Sequence, residues 1–400
     1  MLAPSVTAIN ADLIAKVCSS GWPESISLEF KRDAPGYSDK DKHELLKDVS
    51  ALANADGGDI VFGINEANGV ASELTPIFLE DADSLSRRIN QTIESGIEPR
   101  ILGLQFISID VEGGYVFVVR VPASFLGPHA IKVNNNRRFV MRNGTSTSDM
   151  TFDQIRLAFD RTATLAERAR SLVFERIELL KQRLTPKPLI IGPIKAIHFV
   201  PLNGIAGKQK PNLQEIYSED FIKLIEPDWS SAGRVFNLDG VVVYPGGRSD
   251  EGHYGYALMF RSGVMESASL GGGGYQRHSS ETERFYVWSL DMTKYFRERT
   301  STFLNLAKKQ GISGPAIISF SLLHVTNYEL GIDSNQMFRR SAKADRDHLI
   351  APELWIDNLE TADIDDVVRP LLDTLWQGFG VERCLDFDAI TGAYKPRPDY

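Results

Sequence analysis

The chain has 400 residues, 42% hydrophobic and 24% charged, which is ordinary for a folded globular protein and long enough for two separate cores. A net charge of −9 excludes a protein that holds polyanions by its overall charge, so any nucleic-acid contact needs a local basic patch. Only two cysteines occur, Cys18 and Cys384, which excludes a disulfide scaffold and a cysteine zinc module and fits a reducing, cytoplasmic setting. No run approaches the roughly 18 apolar residues of a membrane helix, and the N-terminus is a poor signal peptide, so no membrane partner is expected.

Taken in order, residues 10–20 read as a short amphipathic helix that "GWP" breaks. In "ISLEFK" the apolar residues Ile26, Leu28 and Phe30 alternate with polar ones, the period of a half-buried strand. Ser38 followed by Asp41 predicts a capped helix from about residue 39, with Leu45, Leu46, Val49, Leu52 and Ala53 on one face. "NADGG" ends that helix, and "DIVFGIN" predicts a strand buried on both faces. A helix at about 81–95 follows, then strands at about 103–110 and 115–122, then "RRFVMRNG" as a last strand. Residues 153–183 lack proline and glycine and predict a long helical arm, stopped by "TPKP" at 185–188. Beyond it we expect strands at about 189–200, 234–244, 254–262 and 316–323. Helices are expected near 282–309 and 363–378, with a glycine-rich loop at 269–280. The expected architecture is α+β, with domains at 1–152 and 187–400 joined by an arm at 153–186.

Three acids carry the chemical interest: Glu24, Glu29 and Glu66, the last just past the "DIVFGI" strand. Residues five apart on a strand face opposite ways, so Glu24 joins Glu29 only if the chain turns at Pro23–Glu24 or bulges. Two carboxylates about 4 Å apart repel by roughly 4 kcal/mol at an effective dielectric near 20. A shared proton or a bound cation relieves that, and all-oxygen donors suit Mg²⁺ or Mn²⁺. Scattered surface acids are the competing explanation. Lys31 stands ready to place a positive charge beside a phosphate.

The stretches "ESISLEFKR", "ALANADGGDIVFGINEANG" and "RRFVMRNGTST" together resemble the Schlafen-type, AlbA-like nucleic-acid-binding domain (divergent AAA), over about residues 20–155. The family's nuclease members cleave structured RNA, tRNA especially, with a divalent metal held by three carboxylates. The resemblance implies Glu24, Glu29 and Glu66 as catalytic and metal-binding residues, with Lys31 as an electrostatic assistant. Glu66 departs from the pattern, because those nucleases have Asp there. The basic stretch supplies Lys132, Arg137, Arg138 and Arg142, and the resemblance places Arg142 and Thr147 at its third motif, with Asn135 and Asn136 as neutral donors. A charged hairpin tip that serves solubility accounts for the same residues.

The expected function is therefore a metal-dependent endoribonuclease acting on tRNA-like RNA, as in a phage-defence effector, with the second domain as sensor or regulator. The alternative is a nucleic-acid-binding regulator that does not cut. "NADGGD" lacks the Gly-Lys-Ser/Thr ending of a phosphate loop and follows a helix instead of opening one, so nucleotide binding has little chemistry behind it. Asn54 is expected to fix the turn through its own side chain. The seven histidines show no metal spacing along the chain. The arginines at 156, 161, 168, 170, 176 and 183 on the long helix suit RNA, a second copy of the chain in a homo-oligomer, or plain solvation.

Overall fold

The computed structural model describes residues 1–3, 8–124, 126–133, 136–207, 210–226, 231–246, 251–275, 284–312, 315–332, 341–359 and 361–396. The chain divides into two compact units, Met1–Ala166 and Glu167–Tyr400. Both mix helices with sheets, so the protein is α+β.

In the first unit, α1 (Ala11–Ser19) begins at Asn10, whose side chain accepts from the Leu13 N–H. The helix leads to β1 (Leu28–Lys31). α2 (Asp39–Asn54) starts at Ser38, whose hydroxyl accepts from Asp41 N–H as the capping pattern requires. β2 (Gly57–Phe62) follows and is buried at every position. β3 (Ile64–Ala67) and β4 (Val70–Leu74) form a hairpin. Then come α3 (Ala82–Gly96), β5 (Ile97–Glu98), β6 (Gln105–Val111) and β7 (Gly114–Pro122). β8 (Ala130–Val133), β9 (Asn136–Asn143) and β10 (Ser146–Asp149) complete the unit's strands.

One sheet runs β1-β2-β7-β6, with β1 parallel to β2 and the rest antiparallel, and a second runs β10-β9-β8-β5. Both faces of the first sheet are covered. Leu28, Phe30, Val61 and Val118 pack toward Ile14 and Val17 of α1, while Ile60, Phe62, Phe117 and Val119 pack toward α2 and α3. Each fully buried side chain of this kind contributes about 1.5–3 kcal/mol.

The two glycines after α2 are backbone requirements. Gly57 has φ +71°, and a Cβ on Gly58 would lie 2.5 Å from the Ser27 carbonyl oxygen. Asn54 does not fix this turn, as the sequence suggested. It reaches across to β8 and β9, donating to the His129 and Val140 carbonyls at 2.9 and 2.8 Å and accepting from His129 N–H at 2.7 Å. A buried amide that satisfies three backbone groups is structural glue.

α4 (Phe152–Lys181) is the expected long helix, and the division between units falls within it. Its later residues Ala169, Val173, Ile177 and Leu180 pack against the sheet of the second unit. That sheet runs β12 (Ala232–Phe236), β13 (Gly240–Pro245), β14 (Gly255–Phe260), β15 (Met265–Leu270), β11 (Ile194–Pro201), β18 (Ala316–Leu323) and β20 (His348–Ile350), with β21 (Leu354–Ile356) also on β18. Its other face is covered by helices Ser289–Lys309 and Ile364–Gln377. A smaller sheet joins β16 (Gly272–Tyr275), β17 (Arg284–Trp288) and β19 (Glu329–Gly331).

Three sequence expectations change here. The strand at 234–244 is a hairpin, β12–β13, turning at Asn237–Asp239 where Asn237 accepts from Gly240 N–H. The helix near 282–309 begins only at Ser289, because the aromatic and β-branched run 284–288 forms β17. The glycine run is partly a strand: a Cβ on Gly272 would collide with the Tyr286 carbonyl, so glycine lets β16 and β17 approach. Arg277 and His278 of that stretch lie outside the described residues, as does Asn135.

Candidate carboxylate site on the first sheet

β1 is an edge strand. Its carbonyls at Ser27 and Lys31 accept from Asp59 and Gly63 N–H, so the Phe30 N–H points to the open side. That amide is satisfied by a side chain: Glu24 Oε1 accepts from it at 3.0 Å. The fold-back that permits this is a tight turn, in which Ser25 and Leu28 exchange backbone hydrogen bonds at 3.0 and 3.3 Å. The turn thus lies after Glu24 and not at Pro23–Glu24 as the sequence suggested, and it takes Glu24 out of the strand alternation.

Glu29 and Lys31 project from one face of β1 toward α2. Lys31 Nζ lies 2.6 Å from Glu29 Oε1 and 3.2 Å from Asp48 Oδ2, and Arg142 Nη1 pairs with Glu29 Oε2. Arg142 also donates to the Ser25 carbonyl at 3.2 Å, bracing the turn that brings Glu24 back. Its side chain is 1% exposed. In place of a surface contact to a nucleic-acid backbone, Arg142 is an interior counter-ion. Thr147 lies directly opposite it in the β9–β10 pairing.

Glu66, on β3, is exposed, and its Oε2 accepts from Gly69 N–H at 2.6 Å. The Gly69 carbonyl in turn accepts from Glu24 N–H at 2.8 Å, so one short hairpin links the two acids. Among the described residues, the second carboxylate oxygens of Glu24 and Glu66 make no hydrogen bond.

Electrostatics mark Glu24 out. Burial raises its pKa above the ordinary carboxylate value, and the negative charges of Glu29 and Glu66 raise it further, against the Phe30 N–H and Arg142. Asp48 is also raised, by burial first and Glu29 next, with Lys31 opposing. Burial works against the Lys31 ammonium, but Asp48 and Glu29 outweigh it and lift its pKa, so Lys31 acts as a fixed charge and not as a base. Asp48 was missed in the sequence, although a charged residue three after Leu45 and four before Leu52 sits on the apolar stripe of a helix. Beside Lys31 and Asp48 opens a cleft of about 250 Å³, lined also by Arg32, Asp33, Asp41 and Glu44.

The donors fit a hard divalent cation in kind, being all carboxylate oxygens. In arrangement, Glu24 and Glu66 each offer a free oxygen, whereas both oxygens of Glu29 are taken by Lys31 and Arg142. Among the described residues, the trio that brings three ligand atoms within 4.8 Å of one another is elsewhere, at His324, Asp347 and His348.

The other basic residues form an exposed rim. Arg137 donates to Glu98 Oε2 at 2.7 and 3.0 Å, and Lys132 lies 3.7 Å from the same oxygen. Arg138 pairs with Asp149, with Nη2–Oδ2 at 3.0 Å. The arginines of α4 and its end are largely absorbed within the chain: Arg156 by Asp153, Arg170 by Glu353, Arg176 by Glu266 and Arg183 by the Gly192 carbonyl. Among the described residues, no helix is long and apolar enough to cross a membrane.

Two solved structures are similar over part of the chain. A crystal structure of a Corynebacterium diphtheriae protein shares 18% identity over 34% of this chain and 25% of its own, with a TM-score of 0.24. A solution structure of the N-terminal domain of a putative ATP-dependent DNA helicase RecG-related protein from Nitrosomonas europaea shares 22% identity over 35% of this chain and 90% of its own, with a TM-score of 0.26. No curated protein matches. Residues 24–151 match the family model described as Schlafen, AlbA_2, and this span holds Glu24, Glu29, Asp48, Glu66 and Arg142.

Proposed function

We propose that the first unit is a divalent-metal-dependent endoribonuclease acting on tRNA or other structured RNA in the cytoplasm. The match of residues 24–151 to the Schlafen, AlbA_2 family model supports a nucleic-acid-related role. The observation that carries the finer reading is Glu24: a half-buried carboxyl, raised by burial and by Glu29 and Glu66 together, with one oxygen unengaged.

Glu24 and Glu66 would hold Mg²⁺ or Mn²⁺ through their free oxygens, and Glu29 would join by giving up Arg142 or Lys31. When bound, the ion supplies charge stabilisation at a phosphodiester. Lys31, held charged by Glu29 and Asp48, would place a fixed positive charge at the mouth of the cleft. With its raised pKa, Glu24 is the group that would accept a proton at its open oxygen. The exposed Lys132, Arg137 and Arg138 would trade Glu98 and Asp149 for RNA phosphates. In this reading the second unit regulates the nuclease, as in a phage-defence effector.

A second reading, a nucleic-acid-binding regulator that does not cut, is favoured by Glu29, whose two oxygens are both in ion pairs as those of a structural acid would be. Incubating the full chain with total tRNA and Mn²⁺ or Mg²⁺ separates them. Cleavage lost with EDTA, in Glu29→Gln and in Glu24→Gln supports the nuclease. Salt-sensitive RNA binding without cleavage, unchanged in both variants, supports the regulator. Glu24→Gln is the cleaner variant, because its amide oxygen still accepts from Phe30 N–H.

A further inference from the structure

β18 and β20 pair with Leu323 opposite His348, so the residues just beyond that pair, His324 and Asp347, meet at the strand ends. The Val325 N–H donates to the Asp347 carbonyl at 3.0 Å and closes the corner. His324 has φ +59°, a left-handed conformation uncommon for a residue with a side chain.

The side chains at this corner converge. His324 Nδ1 lies 3.8 Å and His348 Nε2 3.4 Å from the same atom, Asp347 Oδ2. The other oxygen, Oδ1, is held by Thr326 through its N–H at 3.1 Å and its hydroxyl at 2.5 Å. Thr326 therefore fixes which oxygen faces the two imidazoles. The rings stand nearly perpendicular to each other, with centroids 5.1 Å apart.

We propose that His324, Asp347 and His348 bind a divalent transition-metal ion, Zn²⁺ by donor type. With bonds near 2.0–2.2 Å, two ligands of a tetrahedral zinc stand about 3.4 Å apart. The two separations from Asp347, 3.4 and 3.8 Å, are close to that, and all three ligand atoms lie within 4.8 Å of one another. Two imidazoles and a carboxylate suit zinc and its neighbours and do not suit Mg²⁺, so this site and the acidic site of the first unit differ in the ion they take. Thr326 plays the outer-shell part, orienting the carboxylate ligand. One cost lies at His348, whose Nδ1 accepts a long 3.3 Å contact from His324 N–H; ligation through Nε2 moves the proton to Nδ1 and gives up that contact. A second lies at His324, whose Nε2 then carries its proton while buried without a hydrogen-bond partner among the described residues. The charge of nearby Arg183 is engaged by the Ile190 and Gly192 carbonyls. The Asp347 side chain is partly open to solvent, leaving room for water as a fourth ligand.

The test is Co²⁺ titration of the EDTA-treated, dialysed full chain, followed by visible absorption and displacement with Zn²⁺. One equivalent of Co²⁺ should give tetrahedral ligand-field bands that zinc erases. His348→Gln and His324→Gln should weaken binding at least about 100-fold, and Thr326→Val about 10-fold. Glu24→Gln should keep the bands. Should either histidine variant fail to fold, Asp347→Asn, at an exposed position, carries the test. Absence of bands in the wild type overturns the proposal. So do bands that survive His348→Gln or Asp347→Asn, or bands that Glu24→Gln removes.

Discussion

Each unit holds a carboxylate whose pKa burial works to raise, and the two are handled in opposite ways. Glu266, on β15, is wholly enclosed: Arg176 grips both its oxygens at 2.8 Å, His198 Nε2 lies 3.0 Å from one of them and the Tyr256 hydroxyl donates at 2.6 Å to the other. Burial alone would raise its pKa, but the hydrogen bonds from Arg176 and His198 prevail and drive it well below the usual range. Glu24 is only half enclosed, accepts one backbone N–H, and faces two further carboxylates, so its pKa moves up. A carboxylate whose every lone pair is answered holds a fold together. One left short of positive charge where solvent can reach it is prepared to receive something.

The sharpest way to break this contrast is Glu266→Gln. It leaves the guanidinium of Arg176 buried without its counter-charge, and the second unit should lose about 3–5 kcal/mol, read as a fall in the urea midpoint. The pH dependence follows from the depressed pKa. The folded state holds the charged form, so the stabilisation is present above about pH 4.3, the ordinary glutamate value, and is lost only as pH falls through the lower folded value. A wild type and variant of equal stability at neutral pH would mean that Glu266 is not the clamp its geometry describes.

How much of this was open to a reader of the sequence differs between the two sites. The frame of the first unit was legible: Ser38 with Asp41, the apolar period of α2 and the unbroken "DIVF" run are local signals, and they lead to α2 and β2. The three acids could be named, but not the way Glu24 is brought back onto β1, which depends on the four-residue fold-back at Ser25–Leu28 and on Arg142 arriving from β9, far along the chain. Nor could the sequence show that Arg142 is buried while Arg137 and Arg138, on the same strand, are exposed. The His324–Asp347–His348 cluster had no visible spacing at all. Antiparallel pairing of β18 with β20 brings it together, and β20 is too short to announce itself by pattern. The Arg176–Glu266 clamp likewise joins a helix to a strand remote from it in sequence, so periodicity alone offered no sign of it.

Glu24→Gln is the counterpart test, and its sign is reversed. Because the Glu24 pKa is raised in the folded state, folding favours the protonated carboxyl, and that preference is lost as pH rises through the folded value. At neutral pH the charged group therefore opposes folding slightly. Removing its charge should stabilise the first unit by less than about 1 kcal/mol, since solvent screens a half-exposed group. Thermal melts from acid to neutral pH should show wild type and variant coinciding below the ordinary carboxylate range and separating above it. A variant less stable than the wild type at neutral pH would place Glu24 in the same class as Glu266.

The smallest effect belongs to a third carboxylate, Glu98, which lies at the surface between Arg137 and Lys132. The Arg137 hydrogen bond, helped by the charges of Arg137 and Lys132, lowers its pKa. Water competes for every partner in this group, so Arg137→Ala should leave the melting midpoint unmoved. If the β8–β9 rim holds RNA, the same change should reduce the slope of log affinity against log salt by about 1, with little dependence on RNA sequence. An unaltered slope would take the rim out of the interface. The physical point is exchange: a phosphate can replace Glu98 on Arg137 because that pair is solvated at both ends. Nothing from solution can replace Glu266 on Arg176 without first opening the second unit.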